Sequence, residues 1–324
     1  MAVSIIIPVH NEAIFVGDLI HSIQSYLSIE YEIITVINGS TDDSENICLS
    51  LGCNIVSLPR KCYPSVARNA GLQKASNEII IFLDADILVT KIWAAEVEKL
   101  HQDIDFPSKL ILTGDTYDIS TRPSWIENVW FKPMRASTKN YLNGGNILTN
   151  IKTLNTISGF NEDLETGEDV DLSKRAIDAG AQLQLNSSFL VHHEGYPKNI
   201  KNFYLREKWH GKGDAHSLEV FLRSKVALLS VLTSSMQLLA IILPLFIGFT
   251  SIYHTIAATS LLSVLAIYTL ATLFKFGGNP SEFLPRIFLF FVYFWGRTNA
   301  IVDSAFTKAG KKLMPSTSGK PNED

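Results

Sequence analysis

Three features are scarce or missing in this 324-residue chain, and each excludes a class of protein. Only three cysteines occur, Cys48, Cys53 and Cys62, and no two form a CxxC pair, so neither a disulfide framework nor a zinc site is expected. Basic residues are not in excess, since 28 Lys and Arg face 32 Asp and Glu; we therefore expect no nucleic acid partner. No GxGxxG or GxxxxGK[ST] sequence is present, which disfavours a Rossmann dehydrogenase and a P-loop NTPase.

Charge is missing altogether from one long segment. Residues 226–274 contain no Asp, Glu, Lys or Arg over 49 positions. A bilayer core needs about 20 apolar residues per helix. We therefore predict two membrane spans, at about 226–249 and 255–274, with a turn at 251–254 between them. Pro244 is expected to kink the first span.

The segments on either side of this hairpin predict its orientation. Residues 285–302 are aromatic-rich but short and contain Arg297, so they form either a third span or an interfacial helix. Residues 198–225 hold seven Lys and Arg against three acids, and four lysines follow residue 302. Such basic flanks are typical of the cytosolic side.

These patterns divide the chain into three regions. Residues 1–220 are predicted to form a cytosolic domain, residues 221–302 a membrane region, and residues 303–324 a basic, disordered cytosolic tail. The expected location is the cell (inner) membrane, as a multi-pass protein.

The first 120 residues alternate strands with helices. Short β-rich runs at 4–9, 32–37, 54–58 and 79–83 are predicted strands. Predicted helices between them run from Asn11 to about residue 26, from Thr41 onward, and from Pro64 to about residue 75. The alternation predicts an open, mostly parallel α/β sheet, in which ligands bind beyond the carboxyl ends of the strands.

An Asp-x-Asp pair lies at one of these strand ends. The chain has three such pairs, but only Asp84 and Asp86 follow a buried apolar strand. Carboxylates suit Mg²⁺ or Mn²⁺, which bridge to phosphates and stabilise a departing diphosphate. The alternative is that both residues are ordinary loop acids.

A second acidic pair is predicted to begin a helix. Leu172, Ala176 and Ala179 form an apolar stripe after Glu168 and Asp169. The helix dipole favours ionised carboxylates at this end, and such a group can act as general base toward an acceptor hydroxyl. The alternative is that the two acids only stabilise the first turn.

Two further pairs of residues each have two possible roles. His192 and His193 are either ligands of the metal or diphosphate, or solvated histidines at the edge of the core. Arg206 and Trp209 either contact phosphate and the acceptor, or belong to a basic juxtamembrane helix held by anionic lipid.

Five motifs follow one another within residues 2–215: SIIIPVHNE at 4–12, VINGSTDDS at 36–44, ARNAG at 67–71, DAD at 84–86 and GED at 167–169. With them the chain resembles the family 2 glycosyltransferases, which have the GT-A fold. The C-terminal hairpin resembles that of membrane-anchored members.

The resemblance implies a site for a nucleotide-diphosphate sugar. Asp86 is implied to hold the metal, and Asp169, next to Glu168, to be the base of an inverting single displacement. Arg68 is implied to lie near the base or ribose. The residues implied to bind the nucleotide sugar are Pro8, His10, Glu12, Asn38, Ser40, Arg68, Asp84, Ala85, Gly144 and Gly145.

Two departures from the family pattern qualify the expected activity. The second motif has Ile37-Asn38 where an acid is usual, so the nucleotide base stays open and UDP is a default. The segment around Arg206 and Trp209 lacks the QxxRW signature of processive synthases. We therefore expect one sugar to be moved to a lipid-linked or cell-surface glycan acceptor. Alternatives are a polyprenyl-phosphate glycosyltransferase, or an inactive membrane scaffold with a relic transferase domain.

Overall fold

The computed structural model describes residues 2–136, 140–214, 218–245 and 251–313. The chain forms two compact units, Met1–Tyr196 and Pro197–Asp324. The first unit therefore ends earlier than the predicted domain limit at residue 220.

The first unit contains one sheet and six helices within its described residues. The strands are β1 Val3–Val9, β2 Tyr31–Asn38, β3 Asn54–Leu58, β4 Ile79–Leu83, β5 Ile87–Val89, β6 Ile111–Asp118, β7 Asn146–Asn150 and β8 Gln182–His193. The helices are α1 Val16–Tyr26, α2 Ser44–Ser50, α3 Pro64–Leu72, α4 Lys91–His101, α5 Ile151–Ile157 and α6 Glu168–Asp178. A π-helical turn, Glu127–Phe131, precedes a 3₁₀ turn at Lys132–Ala136.

The eight strands form a mixed, mostly parallel sheet in the order β3-β2-β1-β4-β7-β6-β8-β5. The pairs β3-β2, β2-β1, β1-β4 and β6-β8 are parallel, while β7 is antiparallel to both neighbours and β5 to β8. The expected α/β sheet is confirmed. Its parallel half places the ends of β1, β2 and β4 at one edge, where ligands bind in such sheets.

Successive side chains of the buried strands point to opposite faces, so each face has its own apolar core. Ile5 and Ile7 pack with α1 and α4 residues such as Leu19 and Trp93, whereas Ile6 lies in the cluster on the other face. That second cluster draws on α3, α5 and α6, through Ala67, Leu154, Leu172 and Ala176. Helices thus cover both faces of the sheet.

The predicted strands agree with the structure to within about two residues, but helix limits do not. Helix α1 begins at Val16, because Asn11 has a left-handed φ of 57° and its side-chain oxygen accepts from the Thr41 N–H. Helix α2 begins at Ser44 and α3 ends at Leu72. Ala179, predicted in the apolar stripe of α6, is exposed beyond the helix end.

The second unit is helical within its described residues. Its helices are α7 Ile200–Asp214, α8 Leu218–Arg223, α9 Lys225–Ile242, α10 Ser251–Phe276 and α11 Pro280–Leu313. Two stretches, Lys225–Ile242 and Ile252–Phe276, are long and apolar enough to cross a membrane. Helices α7 and α11 pack closely, since a Cβ on Gly211 would lie 2.8 Å from the Ala300 Cβ.

Helix limits also correct the predictions for this region. The turn predicted at 251–254 is wrong, because these residues are helical. Pro244 lies in a 3₁₀ turn at Leu243–Leu245, after the first helix has ended, and residues 246–250 lie outside the described residues. Helix α11 includes 285–302 and continues to Leu313, where a disordered tail was expected; residues 314–324 lie outside the described part.

Candidate active site

The loop after β1 is held by side chains from the end of β2 and the turn that follows. The Ser40 hydroxyl accepts from the Asn11 N–H at 3.1 Å and donates to the Val9 carbonyl at 3.2 Å. The Ser44 hydroxyl accepts from the Glu12 N–H at 2.9 Å. These bonds keep residues 11–15 out of the helix and place Glu12 at the carboxyl edge of the sheet.

Asn38 is buried and engaged within the protein. Its side-chain amide donates to the Cys62 carbonyl at 3.0 Å, and its side-chain oxygen accepts from the Cys62 N–H at 2.8 Å. The Asn38 carbonyl lies 2.8 Å from Nδ1 of His10. The residue in place of the family's acid therefore holds the loop after β3 against the sheet edge, beside His10 and Pro8.

Arg68 connects the two acidic motifs. Its guanidinium, on α3, donates to Asp84 Oδ1 at 2.7 Å and to Glu168 Oε1 at 2.8 Å. Only 3% of Arg68 is exposed, and it also lies over the Phe160 ring. Although burial opposes the charge, the Asp84 and Glu168 carboxylates raise the pKa of Arg68. Arg68 therefore joins β4 to α6, a role that the sequence did not indicate.

Two glycines before β7 allow this close approach. The Gly145 carbonyl accepts from the Asp84 N–H at 3.1 Å, and a Cβ on Gly145 would lie 2.3 Å from Asp84 Oδ2. A Cβ on Gly144 would lie 3.0 Å from the Arg68 guanidinium. A side chain at Gly145 would therefore clash with Asp84, and one at Gly144 would press on the Arg68 guanidinium.

Asp169 lies in the first turn of α6, as predicted. Its Oδ2 accepts from the Gly144 N–H at 3.3 Å. Burial, followed by the negative charge of Glu168, raises the pKa of Asp169 above its ordinary value. Because Glu168 is bound to Arg68, Asp169 is the carboxylate of this pair that is better placed to accept a proton.

Asp86 lies beside His193. The His193 Nδ1 is 3.7 Å from Asp86 Oδ2, is buried, and meets no hydrogen-bond partner among the described residues. The His193 ring stacks on Tyr196 at 4.2 Å, and a Cβ on Gly195 would lie 1.7 Å from Asp86 Oδ2. Neither Gly195 nor Tyr196 was predicted, since nothing in their spacing marks them.

The Asp86–His193 pair fits a divalent metal ion by its chemistry. A carboxylate with an imidazole is a suitable donor set for Mn²⁺ or Mg²⁺ with bound water. The described residues contain no cluster of three or more His, Cys, Asp or Glu side chains arranged for a metal. His192 meets the Ile119 carbonyl at 3.1 Å, so the structure brings His193, not His192, to Asp86.

The pKa of Glu12 reflects the negative charge at the carboxyl edge of the sheet. Burial, then the negative charges of Asp86, Asp84 and Asp42, raise the pKa of Glu12 to about 8. Acidic groups separated by more than 70 residues along the sequence thus share one electrostatic environment.

Arg206 and Trp209 lie in α7 of the second unit. Arg206 donates to the Glu207 carboxylate at 2.7 Å, and Trp209 is exposed with its ring against His210. Their predicted role on the phosphate or acceptor side stays a prediction.

Comparison with known proteins agrees with the fold and the motifs. The model of glycosyl transferase family 2 matches residues 4–157. The chain carries a family 2 glycosyltransferase domain. The matched segment includes the motifs of β1, β2 and α3 and the one that follows β4. Helix α6, which carries the second acidic pair, lies beyond it.

Two curated glycosyltransferases are similar to this family 2 chain. The pre-mycofactocin glycosyltransferase of Mycobacterium tuberculosis is 25% identical over 244 residues, covering 69% of this chain and 49% of the relative. The chain thus spans about half the length of that relative. Glycosyltransferase AglE of Haloferax volcanii is 25% identical over 259 residues, covering 75% of this chain and 81% of AglE.

A solved structure shares the fold. The mannosyltransferase PcManGT from Pyrobaculum calidifontis, in complex with GDP-Man and Mn²⁺, superposes with a TM-score of 0.55. It covers 96% of this chain and 88% of PcManGT at 17% identity, which supports the GT-A fold.

Proposed function

We propose that this protein is an inverting glycosyltransferase that moves one sugar from a nucleotide-diphosphate sugar to a membrane-associated acceptor. The observation that carries the proposal is the Arg68 bridge, which brings Asp84 from β4 and Glu168 from α6 together in a family 2 domain. The next residue, Asp169, then lies beside Gly144.

Asp169 is the proposed base. Its carboxylate takes the proton of the acceptor hydroxyl as that oxygen attacks the anomeric carbon of the donor sugar. The bond from this carbon to the diphosphate breaks on the opposite face, and the diphosphate leaves with the electron pair. Burial and the Glu168 charge raise the pKa of Asp169, which strengthens its carboxylate as a base.

A divalent ion, Mg²⁺ or Mn²⁺, would be held by Asp86 and His193 and would neutralise charge on the departing diphosphate. Tyr196 fixes the plane of the His193 ring by stacking on it. Asp84 is kept in place by Arg68 and faces the donor side of the site.

The proposed donor nucleotide and acceptor follow from the motifs and from the two apolar helices. UDP is the default donor nucleotide, and its proposed location is the sheet edge at Pro8, His10 and Asn38. The two apolar helices favour an acceptor at a bilayer, such as a lipid-linked or cell-surface glycan, since attachment to the membrane raises its local concentration. We place the family 2 domain on the cytosolic side, with the helices crossing the inner membrane.

The experiment is a donor panel with the purified full chain in lipid. Nucleotide release is measured for UDP-, GDP- and other nucleotide sugars with Mg²⁺ or Mn²⁺. Asp169→Asn is expected to lower kcat by about 10²–10⁴-fold, and Asp86→Ala to abolish the response to metal. Matched controls are Asp178→Asn, at the other end of α6, and Asp105→Ala, the exposed member of another Asp-x-Asp pair.

Other results would change the proposal in definite ways. Loss of activity in Asp86→Ala but not in Asp169→Asn would favour a polyprenyl-phosphate acceptor, since a phosphate oxygen needs no general base. Absence of nucleotide binding by calorimetry, with or without metal, would favour the relic scaffold.

A further inference from the structure

The helical unit contains a cavity of about 280 Å³. Its walls come from α9, α10 and α11, through side chains that include Val226, Ala271, Phe274, Phe290 and Phe294. Phe290 and Phe294 are almost fully buried, whereas Phe274 is exposed at the rim. This volume is close to the lower end of ligand pockets, about 300 Å³, and the walls suit a hydrocarbon chain.

The cavity lies at one end of the apolar hairpin. Val226 is in the first turn of α9, and Phe274 is in the last turn of α10. If the two helices cross a bilayer as proposed above, this end lies at the level of the headgroups and not at the centre of the hydrocarbon.

Among the described residues that line the cavity, Lys275 is the charged one. Its Nζ lies over the rings of Phe276 and Tyr293, each at 5.4 Å from the centroid. The Arg297 guanidinium lies over the same Tyr293 ring at 5.1 Å. Lys275 therefore places a cation beside aromatic rings at the headgroup end of an otherwise apolar cavity, the position where membrane helices carry lysines.

The charges near this rim are mainly positive. Glu207 is 1% exposed and accepts hydrogen bonds from both Arg206 and Arg297. These three groups also act electrostatically on the Lys275 ammonium. Among the described residues, Arg206, Arg297 and Lys275 thus lie around the single carboxylate of Glu207, and this arrangement favours an anion at the rim.

We propose that this cavity binds the hydrocarbon chain of an anionic lipid, with the lipid phosphate against the Lys275 ammonium. A neutral lipid fills the apolar walls but adds no net negative charge to the rim. A soluble phosphate offers charge but leaves the apolar walls exposed. Basic pockets between membrane helices recognise anionic headgroups by this combination. The proposal rests on membrane insertion of the two helices, and not on transferase activity.

The test measures lipid binding to the full chain in neutral detergent, without nucleotide sugar or acceptor. Native mass spectrometry compares dioleoyl phosphatidylglycerol, dioleoyl phosphatidylcholine and glycerol 3-phosphate. Phosphatidylglycerol is expected to bind best and glycerol 3-phosphate not to bind. Lys275→Gln is expected to weaken phosphatidylglycerol binding about fivefold, Lys275→Arg to retain it, and Ala271→Phe to abolish it by filling the cavity.

Lys225→Gln is the matched control, because Lys225 is exposed beside Val226 at the same end of the hairpin but does not line the cavity. Thermal unfolding and far-UV circular dichroism verify that each variant folds. Equal binding of phosphatidylcholine, equal loss in Lys225→Gln and Lys275→Gln, or undiminished binding in Ala271→Phe would overturn the proposal. Flotation of the wild-type chain with liposomes tests membrane insertion separately, and the donor panel tests transferase activity.

Discussion

The two units of this protein contain charge clusters of opposite composition. In the family 2 unit, a buried arginine, Arg68, is shared by two carboxylates, Asp84 and Glu168. In the helical unit, a buried carboxylate, Glu207, is shared by two guanidiniums, Arg206 and Arg297. Arg68 and Glu207 each join elements that are far apart in sequence, so we expect both to stabilise the fold.

The two clusters have opposite electrostatic effects on the titratable groups near them. Acids surround Arg68, and the pKa values of nearby Asp169 and Glu12 are raised, which suits proton acceptance and metal binding. Cations surround Glu207. Burial and the charges of Arg206 and Arg297 lower the pKa of His210 to about 3. The acidic cluster around Arg68 favours bound cations and protonated carboxyl groups, whereas the basic cluster around Glu207 favours bound anions.

The largest effect on stability is expected from Arg68→Met. The change leaves Asp84 and Glu168 without their shared counter-charge, and breaking a buried ion pair typically costs about 3–5 kcal/mol. Thermal unfolding of the full chain measures the loss, and hydrogen exchange should place it in α3, β4 and α6. Arg68→Lys keeps the charge but not the two-pronged geometry, so an intermediate loss is expected. Unchanged stability in Arg68→Met would show that the ion pairs of Arg68 do not stabilise the fold.

A smaller loss is expected from Glu207→Gln in the helical unit. The substitution keeps the side-chain size but removes the negative charge that Arg206 and Arg297 share. Because 34% of the Arg206 side chain is exposed, solvent screens part of this repulsion, and we expect a loss of about 2 kcal/mol. Thermal unfolding in neutral detergent is the measurement.

Glu219→Gln is the control for that variant. Glu219 pairs with Arg223 four residues later, and their side chains are 70% and 80% exposed. An exposed pair of this kind contributes about 0–1 kcal/mol. Equal losses in the two variants would remove the contrast between a central buried carboxylate and a surface one.

Much of the family 2 unit was predictable, for a physical reason. Continuous apolar runs such as 79–83 have few alternatives to buried parallel strands, and the structure confirms that strand. The carboxyl ends of parallel strands meet at one edge, so motif residues from β1, β2 and β4 were expected together. The first turn of α6 was also predicted, with both acids in it.

The features that could not be predicted depend on contacts between residues far apart in the sequence. Arg68 lies 16 residues from Asp84 and 100 residues from Glu168, and no local pattern indicates that one guanidinium reaches both. The first helix was predicted correctly up to residue 26, but its predicted start at Asn11 was wrong because Ser44, in another element, binds the Glu12 N–H. Hydropathy identified the apolar helices but not their ends, since residues 251–254 suit a helix as well as a turn.

The smallest expected effect is the pH dependence that His210 gives the helical unit. An unfolded histidine takes up a proton near pH 6.5, whereas burial, Arg206 and Arg297 keep His210 neutral in the fold until about pH 3. The depressed pKa therefore contributes stability above pH 6.5, and this stability is lost as pH falls toward 3. Discounting for partial exposure, we expect a loss of about 1 kcal/mol between pH 7 and pH 5. His210→Gln has no such proton to bind, so its Tm should fall less over this range in neutral detergent. Equal slopes for the two proteins would mean that neither burial nor the cations around Glu207 lower the pKa of His210, and the contrast between the two charge clusters would then lose its electrostatic basis.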